Sequence, residues 1–219
     1  MNKRNILYAK LAIIMAVIYQ SLAVAVVFLR PDLGVYWHTI SEWAIGKYGW
    51  VMQLAFISSG LSYLFLLLTV KPVINGRFGK LGLILLFCCF AGTVGVGIFV
   101  TDPYPPDFTI TQTLIHTICG TLAMLLLPIA ALLINYNLVK KNSGFAHLKN
   151  ALLLTGIFPL IALIGFILQV SLCVVPLGEN TVGENVPIGY PPRILFFIYH
   201  LWLIVLAGIV IKRRKQLTN

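Results

Sequence analysis

Negative charge is what this chain has least of: six Asp and Glu in 219 residues, against sixteen Lys and Arg. Charged residues of both signs make up only 10% of it, and 59% is hydrophobic. Soluble domains carry roughly 25% charged residues, so this composition excludes a water-facing globule and points to lipid as the solvent. Cysteine is scarce too. Cys88, Cys89, Cys119 and Cys173 contain no CxxC spacing, which excludes a thioredoxin-like dithiol. All four lie in apolar runs and read as small packing residues, with a Cys119–Cys173 bridge left open. No HxxxH or HExxH pair places two metal ligands on one helix, and no N-x-S/T acceptor occurs. No ordinary secretory leader stands out either. The first apolar run, 6–29, is too long for one and reads as a retained helix.

What the chain does have is six long apolar runs, at about 6–29, 48–70, 81–101, 112–136, 151–175 and 193–211. Each reaches across roughly 30 Å at 1.5 Å per residue. That leaves little for a second domain, so residues 1–219 read as one all-α bundle of six transmembrane helices. Charge sets its expected orientation. Thirteen of the sixteen cations flank the runs on one side: Lys3, Arg4 and Lys10; Lys71, Arg77 and Lys80; Lys140, Lys141 and Lys149; Lys212, Arg213, Arg214 and Lys215. All six carboxylates fall in the alternate connections, Asp32 and Glu42, Asp102 and Asp107, Glu179 and Glu184. Cytoplasmic loops collect Lys and Arg. Both termini are therefore expected in the cytoplasm, with the acidic loops outside the cell membrane. Spread as short flanks, the net charge of +10 reads as topology and contact with anionic headgroups, not nucleic-acid binding.

The first outer connection carries a capping-box pattern, Thr39-Ile40-Ser41-Glu42, which predicts a short helix. Tyr36, Trp37, Trp43, Tyr48 and Trp50 surround it. Such rings favour the membrane interface, so the segment is expected to lie along the outer surface and fold over the bundle. Prolines stiffen the second connection, and Gly178–Asn185 reads as turns or a small hairpin. Span three offers small-xxx-small pairs, Ala91/Gly95 and Thr93/Gly97. These admit a neighbouring backbone, either within the bundle or in a homodimer. Pro128 and Pro159 should kink spans four and five or leave carbonyls free.

Polar residues within the spans gather toward the outer ends: Gln20, Ser21, Gln53, His116, Thr117, Gln169, Ser171 and His200. Leu122–Ile134, Leu201–Ile211 and Leu64–Val70 hold no ionisable group. A channel or alternating-access transporter needs polar lining reaching both faces. A cavity open only outward fits better, although an apolar substrate could still be moved. Ionisable side chains inside a membrane default to functional hypotheses. By helix rise His116 lies about 6 Å and His200 about 10 Å deep, with His38, Glu42 and Asp102 above them. Four readings compete: buried polar glue, a metal-dependent or acid/base hydrolase with His116, His200 and Asp102 as candidate ligands, binding of a lipid headgroup or small ligand, and bis-histidine haem. His147, on the basic inner loop, reads as a solvated surface residue.

Thr39-Ile40-Ser41-Glu42-Trp43-Ala44-Ile45-Gly46, then Gly97-Ile98-Phe99-Val100-Thr101-Asp102-Pro103, then Leu114-Ile115-His116 resemble an uncharacterised family of small bacterial and archaeal membrane proteins. That family is known as a domain of unknown function, with patterns near "IS.la.G" and "G.fPtDp…H". The chain resembles DRAM-type membrane modulators more distantly. The resemblance spans nearly the whole chain. It implies Ser41, Asp102 and His116 as shared positions and supplies no activity, substrate or cofactor. Val100 stands where a proline is usual, and His38 and His200 lie outside the pattern. Independently of family, Asp102 at the end of span three faces an unfavourable helix dipole and should seek a donor, with His116 well placed to provide it. The resulting expectation is an outward cavity formed by His38, Ser41, Glu42, Asp102, His116 and His200 that takes a lipid headgroup or small ligand.

Overall fold

The computed structural model describes residues 3–141, 145, 148–178 and 183–218. His147 and Glu179 lie outside that set, as do the side chains of Lys141, Arg214 and Lys215 and residues 179–182 of the 178–185 turn region. Six long helices carry the fold: α1 (Lys3–Leu29), α2 (Gly49–Val70), α3 (Arg77–Ile98), α4 (Thr111–Lys141), α5 (Lys149–Gln169) and α6 (Tyr190–Thr218). A wide turn at Val170–Val174 and a tight one at Val175–Leu177 prolong α5. No strand occurs among the described residues. All six helices are long and apolar enough to cross a membrane, so the chain is a multi-pass membrane protein.

Each helix packs on its neighbours in sequence, and α6 closes the ring against α1 while also touching α2. α2 is the most enclosed, with 56% of its apolar window buried, whereas α1 and α5 bury 22%. Lipid packs against apolar faces as readily as protein does. Helix association therefore depends on close packing and interhelical hydrogen bonds. Span three illustrates the first. A Cβ on Gly92 would stand 2.6 Å from the Cys119 carbonyl oxygen, and one on Gly97 would stand 2.8 Å from the Gln53 carbonyl oxygen of α2, both closer than a side chain tolerates. The small face of α3 is thus seated on α4 and α2 of the same chain.

Hydrogen bonds supply the rest. Pro128 has no N–H, which frees the Met124 carbonyl four residues earlier. Tyr199 of α6 donates its hydroxyl to that oxygen at 2.7 Å. Asn135 of α4 donates to the Leu152 carbonyl of α5 at 2.6 Å and lies 3.4 Å from Trp202 Nε1 of α6. At the basic end Asn137 receives the Asn75 N–H at 3.1 Å and returns a bond to the Asn75 carbonyl, pinning the α2–α3 connection.

Two expectations need correction. Cys119 and Cys173 do not pair; both are free thiols. Trp43 is not an interfacial ring but is 1% exposed, together with Ala44 at 1% and Ile40 at 7%. The apolar faces of these three residues turn inward and seal the bundle. Trp50 and Tyr36 stay exposed as expected.

Candidate ligand-binding site

The acidic end of the bundle is covered by the connection between α1 and α2. Its centre is a single tight turn, Glu42–Ala44. Half of the expected capping box forms: the Glu42 carboxylate accepts the Thr39 N–H at 2.6 Å. The other half does not, since no side-chain oxygen caps the turn. The second Glu42 oxygen accepts the Tyr104 N–H at 3.2 Å, joining the first acidic connection to the second. Arg30 closes the segment's base. It holds Asp32 at 2.8 Å and donates to the Ile45 carbonyl at 2.6 Å. The Arg30 guanidinium keeps the Asp32 carboxyl below the usual range, and Asp32 in turn raises Arg30. Bonds from the Thr109 hydroxyl and N–H likewise lower Asp107.

His116 stands under this cover. Its Nδ1 is 2.6 Å from the Phe99 carbonyl and its Nε2 is 3.0 Å from the Ser41 hydroxyl. A carbonyl only accepts, so Nδ1 carries the proton in the neutral ring. Nε2 is then the acceptor and Ser41 the donor. Phe99 follows the last residue of α3, where helical carbonyls lack partners. The histidine thus caps α3 from α4 while holding Ser41 from above. Asp102, expected to seek His116, instead accepts the Thr113 hydroxyl at 2.9 Å, and the same hydroxyl receives the Asp102 N–H at 3.2 Å. The two connections between α3 and α4 are therefore separate: His116 to Phe99, and Thr113 to Asp102.

Beside His116 lies a recess of about 330 Å³, within the size range of small-molecule sites. Thr39, Ser41, Tyr104, Thr93 and His116 give it polar points. Phe56, Val96, Met124, Phe166 and Phe196 make its walls. A shallower recess of about 220 Å³ adjoins it around the same His116 and Ser41 and extends over Thr101, Asp102 and Thr117.

Of the six residues expected to line one cavity, Ser41, Asp102 and His116 come together here, and Glu42 fastens the cover. His38 and His200 go elsewhere. His38 accepts the Gly34 N–H on Nδ1 at 2.9 Å and lies against Trp37. His200 is 1% exposed in the core. Its Nδ1 meets the Phe196 carbonyl at 2.7 Å and its Nε2 the Ser59 hydroxyl at 2.9 Å, with Gln20 at 3.5 Å. Tyr19 and Tyr63 stack on its two sides at 4.4 and 5.7 Å between centroids. His200 therefore ties α6 to α2, and each histidine spends both ring nitrogens, or one nitrogen and a stacked face, on its own partners. Among the described residues no three His, Cys, Asp or Glu side chains are grouped to hold a metal ion.

Sequence reading missed Thr39, Tyr104 and Thr113 as site residues, and it treated Arg193 only as a charge to be counted. Thr113 was detectable as a hydroxyl opening α4 beside the Asp102 turn. The Phe99 carbonyl had no signal, because a main-chain acceptor leaves no trace in residue type.

A family model described as "Protein of unknown function (DUF998)" matches residues 13–209. The chain belongs to that family. No curated protein and no solved structure matches it.

Proposed function

Starting from that membership, we propose that the protein binds an amphipathic ligand, foremost a membrane lipid, in the recess beneath the 39–48 segment. The acidic end faces away from the cytoplasm, and both termini lie inside. The observation that carries this reading is His116, fixed between Phe99 and Ser41 at the edge of a recess whose other walls are apolar. A few convergent polar groups at the mouth of an apolar slot suit a headgroup with the start of its chain. The Thr39, Ser41 and Tyr104 hydroxyls would take the headgroup, while Phe166, Phe196 and Met124 would meet methylenes.

The test is native mass spectrometry of the purified full chain with its copurified lipids, beside His116→Ala and Met124→Trp. Retention of a defined lipid class that both variants lose supports the reading. Equal, non-selective lipid in all three proteins rejects it. Orientation is checked separately with Asp107→Cys in a cysteine-free background. A membrane-impermeant maleimide should label it in intact cells.

A second reading rests on one specific contact, the Ser41 hydroxyl on His116 Nε2 with a carbonyl holding Nδ1. A nucleophile, a base and a group orienting the base form the minimal acyl-transfer arrangement. In that reading the protein is a hydrolase acting on a lipid ester. Covalent labelling of Ser41 by a fluorophosphonate, abolished in Ser41→Ala and His116→Ala, would establish it. No labelling of the folded protein discards it.

A further inference from the structure

Arg193 stands in the first turn of α6, where the helix dipole makes the local potential positive and a cation is least welcome. It is partly buried, and among the described residues no carboxylate forms an ion pair with it, the Glu42 charge acting on it from beyond direct contact. The Arg30–Asp32 contact is the ion pair found among the described residues. One guanidinium nitrogen, Nη1, is occupied by carbonyls: Gly189 at 2.5 Å, His38 at 3.1 Å and Val35 at 3.3 Å. Nε and Nη2 make no hydrogen bond among the described residues. The plane of the group sits over Trp43, 5.0 Å from the ring centroid.

These two side chains line a second recess, of about 290 Å³, on the opposite side of the 39–43 segment from His116. Trp43 is 1% exposed, and its buried Nε1–H meets no acceptor among the described residues. Such a donor costs about 1–3 kcal/mol when left unmatched. Gln20 adds an amide on the same wall. The remaining lining, including Val24, Val27 and Phe28, belongs to α1, and Phe28 is 79% exposed on the face turned to lipid. A cation with no carboxylate in direct contact and an indole N–H unmatched among the described residues therefore line, with an amide, one recess whose α1 wall runs into the surrounding lipid.

We propose that this recess seats the phosphate of an anionic phospholipid, with Arg193 as the charge partner, Trp43 Nε1 and Gln20 as additional donors, and an acyl chain laid along Val24 and Phe28. Arginine suits this role because its planar fork leaves Nε and Nη2 as one bidentate edge for phosphate oxygens after Nη1 is spent on the loop. The site is distinct from the His116 recess, so a lipid here can persist whether or not that one binds.

The experiment is native mass spectrometry of the full chain in nonionic detergent. It is titrated with phosphatidylglycerol, with diacylglycerol of the same chains, and with inorganic phosphate as competitor. Phosphatidylglycerol should be retained about tenfold more tightly than diacylglycerol, the effect of one charged hydrogen-bond pair. Trp43→Phe, which keeps the ring, should weaken it about threefold, and Arg193→Gln about tenfold or more. His116→Ala should leave it unchanged, which separates this site from the other recess. If Arg193→Gln fails to fold for want of its carbonyl contacts, Trp43→Phe and the diacylglycerol comparison decide. Equal retention of the two lipids, or Trp43→Phe indistinguishable from wild type, overturns the proposal. Displacement by equimolar inorganic phosphate also overturns it, because the site would then hold a free anion.

Discussion

The two ends of this bundle are held together differently. At the basic end the contacts are aliphatic and tight. Leu66, Leu138, Ala130 and Ala131 are fully buried, and the hydroxyls of Ser62 and Thr69 turn back onto their own helix at the Ser59 and Phe65 carbonyls. Asn137 reaches from α4 to the α2–α3 connection there, and the Arg213 guanidinium lies 4.0 Å from the centre of the Phe145 ring. At the acidic end, side chains bond across connections at every level: Arg30 to Ile45, Glu42 to Thr39 and Tyr104, His116 to Phe99 and Ser41, Gln169 to Pro187, Arg193 to His38. The three recesses described above that include residues of the 39–43 segment lie at this end. Polar lacing over recesses suits ligand exchange, since hydrogen bonds to loops can open singly while an interdigitated core opens only as a unit. The lesson is that sidedness of charge and sidedness of packing coincide in one chain.

The largest effect should come from damaging the aliphatic end. Leu66→Ala or Leu138→Ala removes a fully buried side chain and is expected to cost about 2–3 kcal/mol, measured by chemical unfolding in detergent micelles. Lipid retention should be untouched in the protein that remains folded. Loss of selective retention in either variant would break the separation of roles.

His116→Ala should follow, at about 1–3 kcal/mol, since it strands the Phe99 carbonyl and the Ser41 hydroxyl. Its signature is local. Hydrogen exchange should rise across 39–48 and at the α3 terminus, and not at Asn75 or Asn137. Uniform acceleration over the whole chain would mean that His116 holds the bundle instead of its cover.

Asn135→Leu removes the α4–α5 bond to Leu152. Interhelical hydrogen bonds of this kind are worth about 0.6 kcal/mol on average, so a small loss of thermal stability is expected. A loss matching that of the leucine variants would show that polar contacts govern the bundle's middle as well.

The smallest effect is on pH. The Asp32 carboxyl is depressed by Arg30, so its contribution is complete above the ordinary carboxylate range. It fades as pH falls through the lowered value in the folded protein. Asp32 is exposed, and screening keeps the contribution slight. Protection of the 42–47 amides, corrected for the intrinsic pH dependence of exchange, should fall on acidification in wild type, because Arg30 also holds the Ile45 and Lys47 carbonyls, and should stay constant in Asp32→Asn. Stronger protection at low pH would reverse the assigned sign.

The helices were legible because lipid imposes one rule on every span, a long apolar run, and breaks it only at the ends. Ser41, Asp102 and His116 were legible as a group through the family resemblance, which implies them as shared positions. Their pairing was not. Asp102 prefers the Thr113 hydroxyl two residues into α4, and His116 takes a main-chain oxygen that no residue type announces. His200 looked equivalent to His116 by depth along its helix, but depth ignores rotation about the axis. Its face points to Ser59 and the two tyrosines. Trp43 looked interfacial because indoles favour that layer, and burial of the 40–44 turn overrode the preference. Arg193 went unremarked among the cations of the acidic side, although a cation in the first turn of a helix was itself a signal that something opposes it.

The most direct test is photo-crosslinking of a bifunctional lipid, reactive near its headgroup, to the full chain in native membranes, with the modified peptides mapped. The account predicts adducts concentrated at 39–41 and 116–124 and lost in Met124→Trp. Adducts spread evenly over the exposed faces of α1 and α5, with none enriched beside His116, would contradict it.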